Sequence, residues 1–332
     1  MKVWLIAGGA GYIGGHVVKS MHDAGEGVIV VDDLSTGSRD NVPEGVPFVQ
    51  ESILNGEALR KVFQEYEVEG VINMVARTQV GESFTRPLDY YQQNVEGFRV
   101  LLAAMRQAGV RNLIYSSSAS VYGAPDVDLV TEDLPCHPMS PYGQSKLIGE
   151  WLGEAAHTAF DMSVVNLRYF NVAGAVTPAM ADKRVLNLVP MVFEKLTHGR
   201  APVIFGGDYD TPDGTCIRDF IHVADIASAH LAAARHLRAH DDAVLRTYNV
   251  GRGEGVSVRA LISMICEVSG LSIPPVVADR RPGDPVKVVA DARPIQRDLG
   301  WKAQHSVFDM VASAWEGWCA QHPQARAVQR QV

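Results

Sequence analysis

A glycine-rich turn near the amino terminus constrains the fold more than any other feature of the sequence. The segment AGGAGYIGG directly follows an apolar run that reads as a strand, and Gly8, Gly11 and Gly14 are spaced three residues apart. Glycine lets the backbone approach a pyrophosphate, whose charge then sits at the N-terminus of the following helix. Tight strand-to-helix turns need glycine in any case, so the motif alone is weak evidence. Its position after the first strand nevertheless predicts a dinucleotide-binding unit.

Short β-branched runs alternate with amphipathic stretches such as GFRVLLAAMRQAG through the first half of the chain. The runs that read as strands are KVWLIAG, GVIVVDD, VPFVQ, GVINMVA, RNLIYSSS and SVVNLRYFN. This alternation predicts an α/β fold with a doubly wound, Rossmann-type parallel sheet. We expect this domain at residues 1–170, with later segments returning to it, and a smaller α/β substrate domain mainly at 171–332. Ligands bind such sheets at the carboxyl edge.

Charge and cysteine content exclude several functional classes. The 332 residues carry a net charge of −8, which argues against a general nucleic-acid surface but allows a local arginine cluster for a phosphate ligand. The four cysteines lie far apart without CxxC spacing, so neither a disulfide framework nor a metal site is indicated. The apolar run at the start is too short for a signal sequence, and no run approaches the ~20 residues of a membrane span. We expect a cytoplasmic protein with no nucleic-acid or membrane partner.

An aspartate after the second predicted strand refines the dinucleotide hypothesis. Asp32 lies where a carboxylate accepts hydrogen bonds from the adenosine ribose and repels a 2′-phosphate, which favours NAD over NADP. Asp33 is the alternative for this role, and a turn or cap residue is the structural alternative for Asp32.

The segment SPYGQSKLIGE contains a candidate catalytic pair. Ser140 is a suitable N-cap and Pro141 a suitable first helical residue, so Tyr142 and Lys146 lie one turn apart on one helix face. The fifth predicted strand ends in IYSSSASVYG and brings Ser118 to the carboxyl edge. In such a set the lysine lowers the tyrosine pKa, the tyrosine exchanges a proton with a substrate hydroxyl, and the serine hydrogen-bonds the same oxygen. The structural alternative is a surface pair on an amphipathic helix.

Taken together, these motifs resemble the extended short-chain dehydrogenases, and within them the UDP-galactose (UDP-glucose) 4-epimerases. The resemblance runs from GGAGYIG through VGES, PLDYYQQN, YSSSASVYG, SPYGQSKL, LRYFNVAGA, DGTCIRDFIHVAD and RRPGDP to LGW. It implies that a tightly bound NAD takes the C4 hydride of a UDP-hexose while Tyr142 takes the proton of the 4-hydroxyl. The 4-keto sugar turns over, and the hydride returns to its opposite face without net redox change.

The motifs and the resemblance together imply which residues hold the two ligands. The cofactor contacts lie on the glycine turn, at strand ends and on the catalytic helix: Gly8, Gly11, Tyr12, Ile13, Gly14, Asp32, Asp33, Ser52, Ile53, Val75, Ala76, Asn94, Ser116, Tyr142, Lys146 and Tyr169. The UDP-sugar contacts are Arg77, Thr78, Ser118, Phe170, Asn171, Asn187, Leu188, Phe205, Arg218, Arg281, Asp284 and Val288.

Several residues depart from the 4-epimerase pattern or leave the substrate open. Thr78 replaces a lysine, and the neighbouring Arg77 could meet a C6 carboxylate, which keeps a UDP-glucuronate 4-epimerase as an alternative. Ser52 replaces the aspartate that usually meets the adenine amine and is a weaker acceptor. Val288 stands where a bulky aromatic excludes N-acetyl groups in the family, so we expect UDP-GlcNAc and UDP-GalNAc to be substrates too, unless Val288 is simply a buried strand residue.

Two further expectations concern partners. The helices around residues 90 to 108 and 141 to 157 match those that pair into a four-helix bundle in this family, so we expect a homodimer. A catalytically idle NAD-binding protein is the remote alternative, since it would need the glycine turn but not the serine, tyrosine and lysine.

Overall fold

A seven-stranded parallel sheet forms the centre of the structure, a computed structural model that describes residues 2–281 and 283–329. In chain order the strands are β1 (Val3–Ala7), β2 (Val28–Val31), β3 (Phe48–Val49), β4 (Val68–Asn73), β5 (Asn112–Ser118), β6 (Ser163–Tyr169), β7 (Asn171–Ala173), β8 (Val203–Phe205), β9 (Ile217–His222), β10 (Leu245–Val250), β11 (Gly255–Ser257), β12 (Val276–Ala278) and β13 (Lys287–Val288). The order across the central sheet is β10, β6, β5, β4, β1, β2, β3, and each neighbouring pair is parallel. The predicted doubly wound sheet and its six predicted strands are therefore confirmed.

Helices cover both faces of this sheet. In chain order they are α1 (Tyr12–Asp23), α2 (Gly56–Glu65), α3 (Val80–Thr85), α4 (Pro87–Tyr90), α5 (Gly97–Ala108), α6 (Pro141–Phe160), α7 (Leu188–Thr197), α8 (Val223–Arg238), α9 (Val258–Ser269), α10 (Arg293–Leu299), α11 (Val307–Gln321) and α12 (Gln324–Gln329). A π-helical segment, Tyr91–Glu96, joins α4 to α5. None of these helices, within the ranges described, is long and apolar enough to cross a membrane.

The alternation of side chains along each strand divides the core into two layers. Ile6 of β1 and Ile114 of β5 are fully buried against the face covered by α1 and α8. Leu5 and Leu113, one residue away on the same strands, are fully buried against the face covered by α2, α5 and α6. Parallel strands buried on both faces account for the continuous apolar runs in the sequence.

The second half of the chain builds a smaller unit beyond β6. Strand β9 pairs with β7 and β13 in parallel and with β11 antiparallel, while β8 pairs with β12. Helices α7, α9 and α11 pack together around a third buried cluster that includes Phe193 and Trp315. Strand β10 returns to the central sheet beside β6, and α8 packs against α1.

Candidate active site

The glycine turn between β1 and α1 brings backbone atoms closer together than side chains would allow. A Cβ on Gly14 would lie 2.1 Å from the Gly8 carbonyl oxygen, and one on Gly8 would lie 2.9 Å from the Val75 nitrogen. Gly8 also has a left-handed φ of +80°. Gly11 is the N-cap of α1, so bare backbone and the amides of a helix N-terminus share one surface. This surface suits the diphosphate of the expected dinucleotide.

The structure separates the roles of the two aspartates after β2. Asp32 is buried, and its Oδ2 accepts a hydrogen bond from the Ala10 amide inside the glycine turn at 3.0 Å, while its Oδ1 accepts one from the Leu34 amide at 2.8 Å. Burial raises the pKa of Asp32, and these two amides oppose the rise. Asp33 instead closes an exposed turn by accepting from the Ser35 amide at 2.9 Å. Asp32 is therefore the carboxylate tied to the glycine turn, with lone pairs left for ribose hydroxyls.

Helix α6 and the end of β5 bring the predicted catalytic residues together. Ser140 caps α6 by accepting from the Gly143 amide at 3.1 Å, as the sequence predicts, and Pro141 follows in the first turn. Lys146 is 2% exposed, and its Nζ donates to the Ser116 carbonyl oxygen at 2.7 Å. Ser118 is the last residue of β5.

Burial is the largest influence on the pKa values of Tyr142 and Lys146. It raises the pKa of Tyr142, and the adjacent Ser118 hydroxyl opposes the rise by a smaller amount. It lowers the pKa of Lys146 to about 7, and the Glu150 carboxylate opposes the fall. The sequence predicts that Lys146 lowers the tyrosine pKa, but the net shift of the Tyr142 pKa is upward and comes from burial, with Ser118 as the opposing group. The phenol is thus held in its protonated form, with a lysine that titrates near neutral pH.

Asn94 lies in the π-helical segment and braces the chain that follows β4. Its Oδ1 accepts from the Arg77 amide at 2.8 Å, and its Nδ2 donates to the Arg77 carbonyl at 3.1 Å and to Ser145 Oγ at 2.9 Å. Ser145 Oγ in turn donates to the Tyr142 carbonyl at 2.7 Å. Both amide hydrogens of Asn94 are therefore committed within the protein. Asn94 thus links Arg77 to helix α6, and its assignment to the cofactor stays a prediction.

Two tyrosines predicted to contact the cofactor form hydrogen bonds within the protein through their hydroxyl groups. Tyr169 is 7% exposed, and its hydroxyl hydrogen-bonds His230 Nε2 of α8 at 2.5 Å, within the layer between the sheet and that helix. The Tyr12 hydroxyl donates to the Gly174 carbonyl at 2.6 Å, across to the segment after β7. Strand alternation explains the placement of Tyr169, because it shares a face with the buried Leu167.

The other predicted cofactor residues surround the glycine turn and the end of β2. Ser52 Oγ accepts from the Leu54 amide at 3.3 Å, and Ile53 is buried in the layer under α5. The Val75 amide donates to Asn73 Oδ1 at 3.2 Å, and Ala76 follows it half-buried. The Ile13 side chain packs on the core layer between the sheet and α1.

The residues expected to hold the nucleotide form two pairs. The Arg281 guanidinium lies over the Phe205 ring, 3.8 Å from its centroid. Arg218 of β9 is 3.4 Å from an Asp284 carboxylate oxygen. Val288 of β13 stands opposite Arg218 in the parallel register, but its side chain is 8% exposed and belongs to a buried cluster. The structure thus gives Val288 the core packing that the sequence left open as its alternative.

The remaining predicted substrate residues lie on strand and helix ends. Phe170 is 7% exposed in the same buried cluster as Val288, and Asn171 begins β7 with its side chain exposed. Asn187 is the exposed N-cap of α7, and Leu188 is the first residue of that helix. Thr78 is exposed.

Sequence reasoning missed a buried ion pair directly behind the candidate catalytic residues. Arg168 of β6 forms two hydrogen bonds with the Glu150 carboxylate, Nε to Oε1 at 2.9 Å and Nη2 to Oε2 at 2.6 Å. Both side chains are 7% exposed. The available signal was the position of Glu150 one turn after Lys146, at the end of the segment SPYGQSKLIGE.

Comparisons with known proteins agree over nearly the whole chain. A model described as the NAD dependent epimerase/dehydratase family matches residues 4–251. The UDP-glucose 4-epimerase of Azospirillum brasilense is 43% identical over 319 residues, which are 95% of this chain and 91% of that protein.

Two solved structures are also similar to this chain. UDP-glucose-4-epimerase from Stenotrophomonas maltophila, with bound NAD and formylated UDP-arabinopyranose, gives a TM-score of 0.91 at 36% identity and covers 100% of both chains. The UDP-Glc/GlcNAc 4-epimerase from Campylobacter jejuni gives 0.85 at 35% identity and covers 96% of this chain and 100% of that chain.

Proposed function

Because the chain belongs to the NAD dependent epimerase/dehydratase family, we propose that it interconverts UDP-glucose and UDP-galactose by inverting the configuration at C4. The observation that carries this proposal is the meeting of Tyr142, Lys146 and Ser118 at the carboxyl edge of the sheet, beside the glycine turn. A passive dinucleotide-binding protein would have no use for a lysine buried next to a tyrosine at that edge.

The catalytic work of the chain is to move one proton. Tyr142 Oη takes the proton of the sugar 4-hydroxyl and later returns it, and Ser118 hydrogen-bonds the same sugar oxygen. Burial keeps the phenol protonated at rest, so the charge of Lys146, with its pKa of about 7, is needed to stabilise the phenolate. When bound, NAD accepts the C4 hydride and gives it back.

Residues of the first half hold this cofactor. The bare backbone of Gly8, Gly11 and Gly14 receives the diphosphate, and Asp32 accepts hydrogen bonds from the adenosine ribose. Ser52 and the backbone of the buried Ile53 would hold the adenine, while Lys146 and Ser116, joined by a hydrogen bond, would hold the nicotinamide side. Residues 1–170 form the NAD domain in this proposal, with β10 and α8 returning to it.

Residues of the second half, mainly 171–332, hold UDP. Arg218 and Arg281 supply forked cations for the diphosphate, and Phe205 supplies an aromatic wall for the uracil. Asn171 and Asn187 present exposed amides at the start of β7 and of α7. Because these residues bind the nucleotide and not the hexose, the keto sugar stays free to turn over.

A second candidate substrate pair is UDP-GlcNAc and UDP-GalNAc. The support for this pair comes from comparison and not from Val288, because the Val288 side chain is buried in the core cluster that also contains Phe170. The similar Campylobacter jejuni enzyme is named a UDP-Glc/GlcNAc 4-epimerase. A UDP-glucuronate substrate has less support, because Arg77 faces Glu82 at 4.0 Å and its charge is already partly matched.

The protein acts as a cytoplasmic homodimer in this proposal. Large apolar side chains on neighbouring helices are exposed: Phe84 of α3 at 61%, Leu88 of α4 at 79% and Trp151 of α6 at 57%. Because α3 and α4 both pack against α6, these residues lie on adjacent helices that a second copy could cover. The four free cysteines are consistent with a reducing compartment.

The test is incubation of the purified protein with single UDP-sugars, followed by chromatographic separation of the products. We expect UDP-glucose and UDP-galactose to approach the same mixture from both sides, without net NADH formation. UDP-GlcNAc, UDP-GalNAc and UDP-glucuronate run in parallel decide the substrate range. A protein that leaves UDP-glucose and UDP-galactose unchanged with NAD present would contradict the proposal.

A further inference from the structure

The Glu150–Arg168 pair lies directly behind the catalytic residues. Glu150 is one turn after Lys146 on α6, and Arg168 is on β6, which pairs with β5. Ser117, between Ser116 and Ser118 on β5, donates its hydroxyl hydrogen bond to Glu150 Oε1. The Glu150 carboxylate therefore joins the catalytic helix to both strands that carry the edge of the site.

The remaining guanidinium nitrogen of Arg168, Nη1, also has hydrogen-bond partners. Its Nη1 donates to the Tyr122 hydroxyl at 2.7 Å and to the Glu132 carbonyl at 3.2 Å, and the Tyr122 hydroxyl donates to Asn249 Oδ1 at 2.7 Å. Burial is the largest single effect and disfavours the arginine charge, but the hydrogen bonds and charge of Glu150, together with Tyr122, outweigh it and raise the pKa of Arg168. A buried pair of this kind gives a fixed geometry rather than much net stability.

We propose that Glu150 and Arg168 are positioning residues for proton transfer, fixing Tyr142 against Ser118 and holding a negative charge one turn from Lys146. The inference rests on the proposed 4-epimerase activity. Ser116, whose carbonyl receives Lys146 Nζ, and Ser117, which binds Glu150, are adjacent on β5. A displacement of Glu150 would therefore affect α6, which carries Lys146, and also Ser117 of β5, which is next to the carbonyl that Lys146 contacts.

Glu150 also acts on the charge of the lysine. It opposes the burial that lowers the pKa of Lys146. The titratable groups that face Lys146 and Glu150 come from α6, from the loop before it, and from β5 and β6: Tyr142, Cys136, Tyr115, Tyr169 and Arg168. In this set Glu150 is the acidic group that favours the protonated lysine.

The variant Glu150→Gln tests the proposal, because it keeps the shape and the hydrogen-bond acceptor but removes the charge. Lys146 would then lose its proton at lower pH, and Tyr142 would form its phenolate only at higher pH. We expect the acid limb of the kcat profile to move up by about one pH unit, so that kcat falls about tenfold at neutral pH and recovers in alkali. The matched control is Glu154→Gln, the same change one turn later on the exposed face of α6, which should leave the profile unchanged.

A uniform loss of kcat with an unmoved pH profile would overturn the proposal, since it indicates a structural role only. If wild type shows no epimerase activity, the proposed function fails, and phenolate absorbance then decides this inference. For that measurement, wild type and Glu150→Gln are each titrated against their Tyr142→Phe counterparts; a higher phenolate pKa in Glu150→Gln supports the inference, and equal values refute it.

The double variant Glu150→Leu/Arg168→Met covers the case in which a single change prevents folding. It leaves no unpaired buried charge, and such replacements are often neutral or stabilising. Its pH profile, or its phenolate titration, should move in the same direction as that of Glu150→Gln. An unmoved value in this folded double variant would likewise refute the proposal.

Discussion

Tyr142 shows how strongly a single residue depends on what surrounds it. Burial holds its proton on the phenol, and the groups that can reverse this are a hydroxyl from Ser118 and the ammonium of Lys146. Because Lys146 is itself buried and has a pKa of about 7, only part of the lysine population carries its charge at neutral pH. The Tyr142 phenol, whose pKa lies above the value of about 10 for a free tyrosine, therefore depends on that charge to release its proton.

Removal of the Tyr142 hydroxyl should separate chemistry from binding. In Tyr142→Phe we expect kcat to fall by at least about a thousandfold, while UDP-sugar affinity stays within a few-fold, because the ring remains and only proton transfer is lost. Steady-state kinetics and calorimetric titration with UDP-glucose measure the two quantities. The matched control is Tyr91→Phe, which removes an exposed hydroxyl bonded to Gln144 at 2.6 Å and should keep kcat. A near-normal kcat in Tyr142→Phe would remove this tyrosine from the mechanism.

At the scale of elements, the local sequence predicted what local contacts determine. The start of α6 follows from Ser140 and Pro141, and the glycine turn follows from its position after β1. The π-helical segment 91–96 was not predicted, because its register depends on Asn94 reaching Arg77, 17 residues earlier in the chain. The Glu150–Arg168 pair likewise joins a helix to a strand 18 residues later. Such contacts leave no periodic pattern, so sequence reasoning identified the candidate catalytic side chains but not the contacts that position them.

The cap of α6 should matter for both stability and activity. Ser140 is 5% exposed, and Ser140→Ala leaves the Gly143 amide without its acceptor at a cost of about 1 kcal/mol of unfolding free energy. The control is Ser306→Ala, which removes the exposed cap of α11, where Ser306 Oγ accepts from the Asp309 amide at 3.1 Å. We expect both variants to lower Tm, but only Ser140→Ala to lower kcat, because Tyr142 lies two residues from that cap. Equal kcat values would show that cap loss is not transmitted to the phenol.

At the scale of the whole molecule, the exposed apolar residues of α3, α4 and α6 are the basis for the expected homodimer. We expect light scattering to give twice the chain mass of 36.1 kDa for wild type, and a lower, concentration-dependent mass for Leu88→Arg. The control Phe308→Arg changes a residue that is 46% exposed on α11, away from these helices, and should keep the mass of wild type. A single-chain mass for wild type at every concentration would contradict the dimer.

The pH dependence of stability should reflect three buried histidines. His16, His222 and His230 are at most 3% exposed, and burial lowers the pKa of each to about 4. In the unfolded chain a histidine takes up its proton near pH 6.5, so between pH 6.5 and 4 the unfolded state binds more protons. Each histidine therefore contributes stability that is fully present above pH 6.5 and falls by up to about 1.4 kcal/mol per pH unit as the pH drops through this window.

Asp219 acts in the opposite direction. Burial raises its pKa to about 6, against the hydrogen bonds that it accepts from backbone amides, so the folded state binds a proton here before the unfolded state does. Burial also raises the pKa of Asp32, Glu132 and Asp182, so these carboxyl groups and Asp219 offset part of the unfolding free energy that the three histidines lose in acid.

The variant His230→Gln isolates one of these contributions. It loses the hydrogen bond with Tyr169 and should be less stable than wild type at pH 7, but its unfolding free energy should fall less steeply with acid, by about 1.4 kcal/mol per pH unit. Denaturant titrations at a series of pH values measure both effects. His198→Gln is the control, because His198 lies exposed at the end of α7 and its removal should leave the slope of wild type. Equal slopes for wild type and His230→Gln would mean that the buried imidazole takes up its proton in the folded protein, in conflict with its burial between Tyr169 and the Ile226 carbonyl.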